Sequence, residues 1–162
     1  MSTAQEQLKK RALTKVARYC ALGERSLRQV KDKLAKERLS ETEIAQIIDE
    51  LREGSFLDER RFAAAFCNDK LRFNSWGKNR LRMELKGHQI SLETINRALE
   101  ELDIQLYQEQ LKNVLSKKLF TLKDETEPLM KKKKLAEHAI RKGFEADLVF
   151  KLSEQLLSSV RH

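Results

Sequence analysis

Residues 77–102, which read GKNRLRMELKGHQISLETINRALEEL, decide the predicted fold. Apolar residues in this stretch are spaced by 4, 5, 5, 3 and 4 positions, at Leu81, Leu85, Ile90, Ile95, Ala98 and Leu102. Intervals near four match the α-helical turn and place these side chains on one helix face. The two intervals of five contain Gly87 and Ser91. Gly87 is expected to end the first helix in the left-handed conformation, and Ser91 is expected to cap the next helix. The stretch therefore predicts two amphipathic helices joined by a short turn.

The same five intervals occur twice more in the chain. The upstream copy contains Val30, Leu34, Leu39, Ile44, Ile47 and Leu51, and the downstream copy contains Leu135, Ala139, Phe144, Val149, Leu152 and Leu156. Amphipathic helices always align to some degree, but six matched positions in three copies, with a turn at the same place, favour a true repeat. Repeats of this length are units that bury their apolar faces on one another when they stack.

The predicted fold is all-α, with tandem three-helix repeats stacked into an elongated, curved array. The predicted divisions are a lead helix in 1–24, repeat 1 in 25–74, repeat 2 in 75–122, and repeat 3 in 123–162 with its third helix missing or vestigial. We expect third helices at about 58–73 and 105–120 in the first two repeats.

Local signals support these helix ends. Ser40 and Glu43 have the spacing of a capping box, and Pro128 fits the first turn of a helix. We expect the remaining glycines to end or start helices as Gly87 does; they are Gly23, Gly54, Gly77 and Gly143. Phe73 and Trp76 are predicted to anchor a helix junction to the core, the alternative being that they stack on nucleic-acid bases.

The composition excludes several classes of protein. Of the 162 residues 36% are charged and only 6% aromatic, with a single proline, which favours helices over a β-sandwich or β-barrel. No apolar stretch approaches the roughly 18 residues of a membrane span, and the first ten residues lack the apolar segment of a signal peptide. The sequence therefore predicts a cytoplasmic protein without membrane contacts. We also expect a monomer.

Residues capable of catalysis or metal binding do not form a recognisable pattern. Cys20 and Cys67 each lie alone in apolar helical runs, which predicts buried thiols and not a disulfide or a ligand pair. His88, His138 and His162 lack metal-ligand spacing. Paired carboxylates, a Ser/His/Asp set and a glycine-rich phosphate loop are not found in the sequence. We therefore predict a protein that is not an enzyme and uses no cofactor or metal.

Charge follows the repeat. The formal net charge is +8 and the isoelectric point about 9.5, which suits nucleic acid, an acidic protein surface or anionic lipid. Each first helix is basic: 26–38 has five basic and two acidic residues, 77–88 four and one, and 128–142 six and one. The second helices are acidic. Stacked repeats would align the basic helices in a stripe suited to DNA phosphates or an acidic protein groove. The alternative is a set of solvated faces joined by ion pairs, but the run Lys131–Lys134 carries more charge than its neighbours are expected to neutralise.

Three segments resemble the RecX family of regulatory proteins. Residues 54–63, GSFLDERRFA, are similar to its G-aromatic-L-D-D-x-R-F-A segment. Residues 76–87, WGKNRLRMELKG, are similar to its G-x-x-R-I-R-x-E-L-x-x-K-G segment, but are shortened around the second glycine. Residues 26–34, SLRQVKDKL, resemble its S-x-x-E-L-x-x-K-L helix, with Gln29 and Val30 where Glu and Leu are usual. The resemblance covers about 19–102, and the repeat pattern extends it further.

This resemblance implies a protein that lodges in the groove of a RecA recombinase filament on DNA, touching DNA phosphates and recombinase together. It implies a protein that blocks filament growth or promotes filament disassembly, and thereby lowers ATP hydrolysis, strand exchange and the co-protease activity that triggers the SOS response. The binding residues that it suggests by position are Arg60, Arg61, Lys78, Arg80, Arg82 and Lys86. Charge alone adds Lys131, Lys132, Lys133, Lys134, Arg141 and Lys142.

Other interpretations remain open at this point. The chain could be a helical nucleic-acid-binding module that acts without RecA, or a scaffold that binds only acidic proteins. Arg60 and Arg61, beside Asp58 and Glu59, could also serve only to stabilise the start of their helix.

Overall fold

The computed structural model describes residues 3–160, and within them the regular secondary structure is entirely helical. The helices are α1 (Ala4–Ala21), α2 (Leu27–Leu34), α3 (Glu41–Glu53), α4 (Glu59–Asp69), α5 (Lys78–Gly87), α6 (Leu92–Glu100), α7 (Ile104–Thr121), α8 (Pro128–Arg141) and α9 (Ala146–Val160). A π-helical turn, Lys70–Asn74, follows α4 directly. Within 3–160 no helix is both long and apolar enough to cross a lipid bilayer.

The repeated apolar positions form the core, as the sequence predicts. All of them are buried except the half-buried Leu39, Ile44 and Leu156. The same hydrogen bond closes the turn in the second and third copies: the Ile90 N–H donates to the Leu85 carbonyl (3.2 Å), and the Phe144 N–H donates to the Ala139 carbonyl (3.2 Å). These are aligned positions, so the predicted register is confirmed for the second and third copies.

The chain divides into two compact units. Among the described residues, unit 1 comprises 3–65 and 85–95. Its helices α1, α2 and α3 pack on one another. The core between them is formed by Ala12, Val16, Cys20, Val30, Leu34, Ile47, Ile48, Leu51 and Leu57. Burial raises the pKa of the Cys20 thiol, which is free, so the prediction of a buried thiol is confirmed here.

A buried serine links the start of α2 to the turn after α5 inside unit 1. Ser26 and Gln29 form a capping box, and Ser26 is only 1% exposed. The Ser26 Oγ also lies 3.0 Å from Nδ1 of His88, whose ring packs on Phe62 at 5.2 Å between centroids. The hydroxyl therefore contributes both a helix cap and a tertiary hydrogen bond.

Ser26→Ala should lower the free energy of unfolding by about 2 kcal/mol, because the loss of a cap (~1 kcal/mol) is combined with the loss of a buried hydrogen bond. Ser40→Ala is the matched control, since Ser40 closes the capping box of α3 at an exposed position. That change should cost about 1 kcal/mol. Urea unfolding measures both, and equal losses would show that the contact with His88 adds nothing.

Unit 2 comprises residues 66–84 and 96–160 of the described range. Here α7, α8 and α9 pack on one another. Their buried side chains include Leu111, Leu115, Leu135, Ala139, Phe144, Val149 and Leu152. The ring of Tyr107 packs on Phe144 at 5.3 Å between centroids. Cys67 is free and fully buried, and burial raises the pKa of its thiol to about 12, so the second thiol prediction is also confirmed.

The π-helical turn explains why one aromatic prediction is wrong. Phe73 is 82% exposed and does not anchor a junction to the core. A π-helical turn has more residues per turn than an α-helix, so it shifts the helix face that follows it. Leu71 is buried in this turn and Phe73 faces solvent, whereas Trp76 is half-buried against Phe66.

Helix ends also differ from the prediction. Among the described glycines only Gly143 has a positive φ, of 103°, whereas Ser55, Ser75 and Gln89 take the left-handed conformation after other helices. Most of these turns therefore do not depend on glycine. Likewise α2 ends at Leu34 and not near residue 38.

The start of each repeat can be counted in more than one way. In unit 1 the lead helix α1 shares its core with α2 and α3, and in unit 2 α7 packs with α8 and α9. A count that begins at α1 preserves the same intervals but assigns a different first helix. The boundaries at 24/25, 74/75 and 122/123 therefore stay a prediction.

Candidate nucleic-acid interface

The beginning of α5 meets the end of α8 through main-chain contacts in unit 2. The Gly77 N–H donates to the Lys142 carbonyl (2.9 Å), and the Asn79 N–H donates to the Gly143 carbonyl (2.9 Å). A Cβ on Gly77 would lie 2.3 Å from the carbonyl carbon of Gly143, and one on Gly143 would lie 2.4 Å from the Arg80 Cβ. Only glycine permits so close an approach. As a result, Arg80 and Lys142 lie beside each other.

Trp76 holds the guanidinium of Arg80. The guanidinium carbon lies 4.1 Å from the centroid of the indole, a cation–π geometry. The indole is itself fixed, because it packs on Phe66 at 6.2 Å and Lys70 lies 5.1 Å from its centroid. Arg80 is therefore oriented by its neighbours instead of moving freely in solvent.

Lys78 lies at a second contact within unit 2, between the start of α5 and α7. Its backbone N–H donates to the Tyr107 hydroxyl (2.9 Å), and its ammonium group lies 5.1 Å from the Tyr107 ring centroid. The Tyr107 hydroxyl donates to the Glu145 carboxylate, and burial raises the pKa of Tyr107. The backbone of Lys78 is thus structural, while its ammonium group is held on an aromatic ring.

Because α7 packs on α8 and α5 begins beside the end of α8, cations from three helices lie near this contact. We call them the cationic cluster, defined as Arg80, Lys117, Lys118, Arg141 and Lys142 together with His138. Burial and then the charges of Arg80 and Lys117 lower the pKa of Lys142. Burial and then the charges of Lys118, Lys142 and Arg141 lower the pKa of His138. The structure thus brings three predicted residues, Arg80, Arg141 and Lys142, close to others on α7 and α8.

The cluster lacks counter-charges in the described part of the chain. Between residues 3 and 160, none of its five Lys and Arg side chains has a carboxylate oxygen within 4.0 Å. The charged groups that shift the pKa values of His138 and Lys142 are all cationic. A partly buried group of like charges without carboxylates favours the binding of an anion.

The lysine run of α8 differs from the prediction. Three of its members have carboxylate partners: Lys132 with Glu154 (2.9 Å), Lys133 with Glu137 (3.9 Å) and Lys134 with Glu125 (2.9 Å). The expectation that the neighbours cannot neutralise this run is therefore wrong for these three. Two of the three partners lie outside α8: Glu125 in the turn before it and Glu154 in α9. The spacing of residues within α8 therefore does not predict these two pairs. Lys131 has no ion pair within the described residues.

Arg60 and Arg61 lie at the start of α4, in unit 1. The Asp58 carboxylate accepts both of their backbone N–H groups, at 2.9 and 3.1 Å. The Arg61 guanidinium donates to Glu24 (3.0 Å) and to the Ser55 carbonyl (2.7 Å). Arg61 thus has a structural role, as one interpretation of the sequence allows, whereas Arg60 is exposed.

Other predicted positions are more dispersed. Arg82 donates to the Asn79 side chain at 3.1 Å, and Lys86 is exposed in the part of α5 that belongs to unit 1. His162 lies outside the described residues. Lys117 and Lys118 were missed because no motif covers α7. The sequence alone could have indicated them, because neither lysine has an acidic residue three or four positions away with which to form an ion pair along the helix.

Comparison with known proteins shows that the chain is similar to regulatory proteins RecX. A family model described as RecX, second three-helix domain, matches residues 58–99, the region of α4, α5 and α6. The regulatory protein RecX of Prosthecochloris aestuarii is 27% identical over 150 residues, covering 93% of this chain and 96% of the relative. That of Clostridioides difficile is 27% identical over 148 residues, covering 91% and 69%.

Solved structures agree in fold. The crystal structure of RecX from Lactobacillus salivarius has a TM-score of 0.83 at 19% identity, covering 93% of this chain and 97% of the other. Relatives differ in length: the chain spans only 53% of the regulatory protein RecX of Oceanobacillus iheyensis, with 24% identity over 146 residues.

Proposed function

We propose that this chain, which is similar to regulatory proteins RecX over more than nine tenths of its length, regulates homologous recombination and the SOS response by binding the RecA filament on DNA. In this proposal it inhibits filament growth, and with it ATP hydrolysis and strand exchange. The protein acts as a non-enzymatic monomer in the cytoplasm and contacts DNA through phosphates.

The observation that carries the proposal is the cationic cluster of unit 2. A filament ligand must approach a phosphate backbone, and phosphate contacts by Lys and Arg supply much of the affinity for DNA. The cluster offers five such side chains without carboxylate partners among residues 3–160. Arg80 is in addition oriented by Trp76, so less side-chain entropy is lost when it binds.

The predicted contact residues fall into two groups under this proposal. The first, with direct DNA contacts, is Lys78, Arg80, Arg82, Arg141 and Lys142. The second group comprises the remaining predicted residues, several of which have ion pairs within the protein: Arg60, Arg61, Lys86, Lys131, Lys132, Lys133 and Lys134. Members of the second group that have ion pairs can exchange a carboxylate for a phosphate, because exposed pairs contribute only about 0–1 kcal/mol.

The decisive experiment measures ATP hydrolysis by the cognate recombinase on single-stranded DNA at about 0.15 M salt. We expect suppression when the protein is present at far less than one copy per recombinase monomer, because blocking the growth of a filament requires few molecules. Adding the protein before and after filament assembly separates inhibition of growth from disassembly. Unchanged hydrolysis together with tight binding to naked DNA would instead support a nucleic-acid-binding module that acts without RecA.

A further inference from the structure

His138 lies within the cationic cluster, half-buried in the last turn of α8. The cations that act on it come from two elements, Lys118 from α7 and Arg141 with Lys142 from α8. Arg80, at the start of α5, acts on Lys142. The charged residues of α9, which also packs on α8, are not among the groups that shift the pKa of His138. The charges that act on the imidazole are therefore all positive.

We propose that the cationic cluster is a phosphate-binding site for the DNA backbone, in which Lys117 and Lys118 contact the ligand and His138 takes up a proton when a phosphate binds. The choice of DNA rests on the proposed function. The site itself rests on the convergence of α5, α7 and α8, and two of its lysines belong to no motif of the sequence.

The geometry explains why the site is preformed. The main-chain hydrogen bonds from Gly77 and Asn79 fix α5 against the end of α8, and Trp76 fixes the Arg80 guanidinium. Mutual repulsion among cations destabilises the empty cluster, and one phosphate offsets several of these repulsions at once. The backbone contacts limit how far α5 and the end of α8 can separate to relieve this repulsion.

Proton uptake follows from the same charges. In the free protein, burial and the neighbouring cations hold the pKa of His138 below its ordinary value of 6.5, so the neutral ring predominates at pH 7. A bound phosphate favours the protonated ring and raises that pKa. Affinity must then increase as the pH falls from 7.5 through the range in which His138 titrates. The phosphodiester keeps its single negative charge over this range, so the change comes from the protein.

The first test uses a fluorescently labelled oligo-dT of about 30 nucleotides without recombinase, with anisotropy measured at several salt concentrations. Lys117→Gln with Lys118→Gln should weaken binding roughly 10- to 25-fold at about 0.1 M salt and reduce the salt slope by about 1.4, the loss of two phosphate contacts on a single strand. Lys112→Gln with Lys123→Gln is the matched control, because it removes equal charge from exposed positions on and just after α7. Equal affinities of the two double variants would overturn the proposal.

The second test follows His138 directly. NMR titration of the imidazole signals, assigned by means of His138→Gln, should show a higher pKa for His138 in the presence of oligo-dT. Binding by the unmodified protein should tighten between pH 7.5 and pH 6.0 several-fold more than binding by His138→Gln. An unchanged His138 pKa on saturation, or the same pH dependence in both proteins, would remove proton uptake from the proposal.

Recombinase assays separate this inference from the proposed function. If the protein suppresses ATP hydrolysis while Lys117→Gln with Lys118→Gln still binds oligo-dT normally, the function stands and the phosphate site is wrong. If that variant loses suppression but not oligo-dT binding, the cluster contacts an acidic protein surface, which also overturns the inference. If the protein binds oligo-dT through these lysines but never affects the recombinase, the phosphate site stands and the proposed function fails.

Discussion

Replacing Arg80 and Arg82 together by glutamate should raise the concentration needed for half-suppression of the recombinase ATPase about 100-fold. Two lost phosphate contacts account for roughly 10- to 25-fold of this change at moderate salt, and repulsion between the new carboxylates and phosphates adds the remainder. The assay is the ATPase titration at about 0.15 M salt. Half-suppression at the original concentration, in a variant that is still folded, would remove α5 from the binding site.

Two controls make this result interpretable. Lys112→Glu with Lys123→Glu reverses equal charge outside the predicted site and should shift half-suppression by less than about threefold, the general effect of net charge on binding. Thermal unfolding checks the fold. Because Arg80 stacks on Trp76, its loss should lower the free energy of unfolding by only about 0.5–1 kcal/mol.

Gly143→Ala should lower the free energy of unfolding of unit 2 by about 3–5 kcal/mol, from overpacking and backbone strain together. The new Cβ would lie 2.4 Å from the Arg80 Cβ and 2.7 Å from the Arg80 nitrogen. The φ of 103° is unfavourable for alanine as well, so relaxation cannot relieve both problems. Urea unfolding followed by the fluorescence of Trp76, the single tryptophan, reports on the affected unit.

Gly23→Ala is the control for this variant. A Cβ at Gly23 would meet only the Arg25 side chain, at 3.7 Å, and the φ of Gly23 is not positive. Stability should change by about 0.5 kcal/mol or less. If both alanine variants unfolded at the same urea concentration, the close contact between α5 and α8 would not exist in solution.

The core was predictable because the spacing of apolar residues along a helix indicates which face of the helix is buried. The intervals that place Leu85 and Ala139 in register are visible without any tertiary information, and both residues are fully buried. Phe73 was not predictable in this way. Its spacing fits an uninterrupted helix, but the π-helical turn Lys70–Asn74 shifts the helix face, and no sequence periodicity marks such a turn.

The candidate site was predictable residue by residue but not as an arrangement. Composition indicates that Arg80 and Lys142 are basic residues of basic helices, yet their proximity depends on main-chain hydrogen bonds between distant segments. Similarly, Glu125 and Glu154 neutralise lysines of α8 from other parts of the chain. Tertiary packing determines pairs of this kind, and they cannot be predicted from the spacing of residues within one helix.

The hydrogen bonds of Gly77 and Asn79 to the end of α8 also fix when the cationic cluster can first form during synthesis. They join segments separated by the whole of α6 and α7, so the entropy cost of closing that long loop must be met before they form. A nascent chain that has emerged only as far as α7 carries Arg80 and Lys117 but cannot assemble the cluster around them. During synthesis, beside the abundant RNA of the ribosome, the proposed phosphate site is therefore incomplete until α8 has docked.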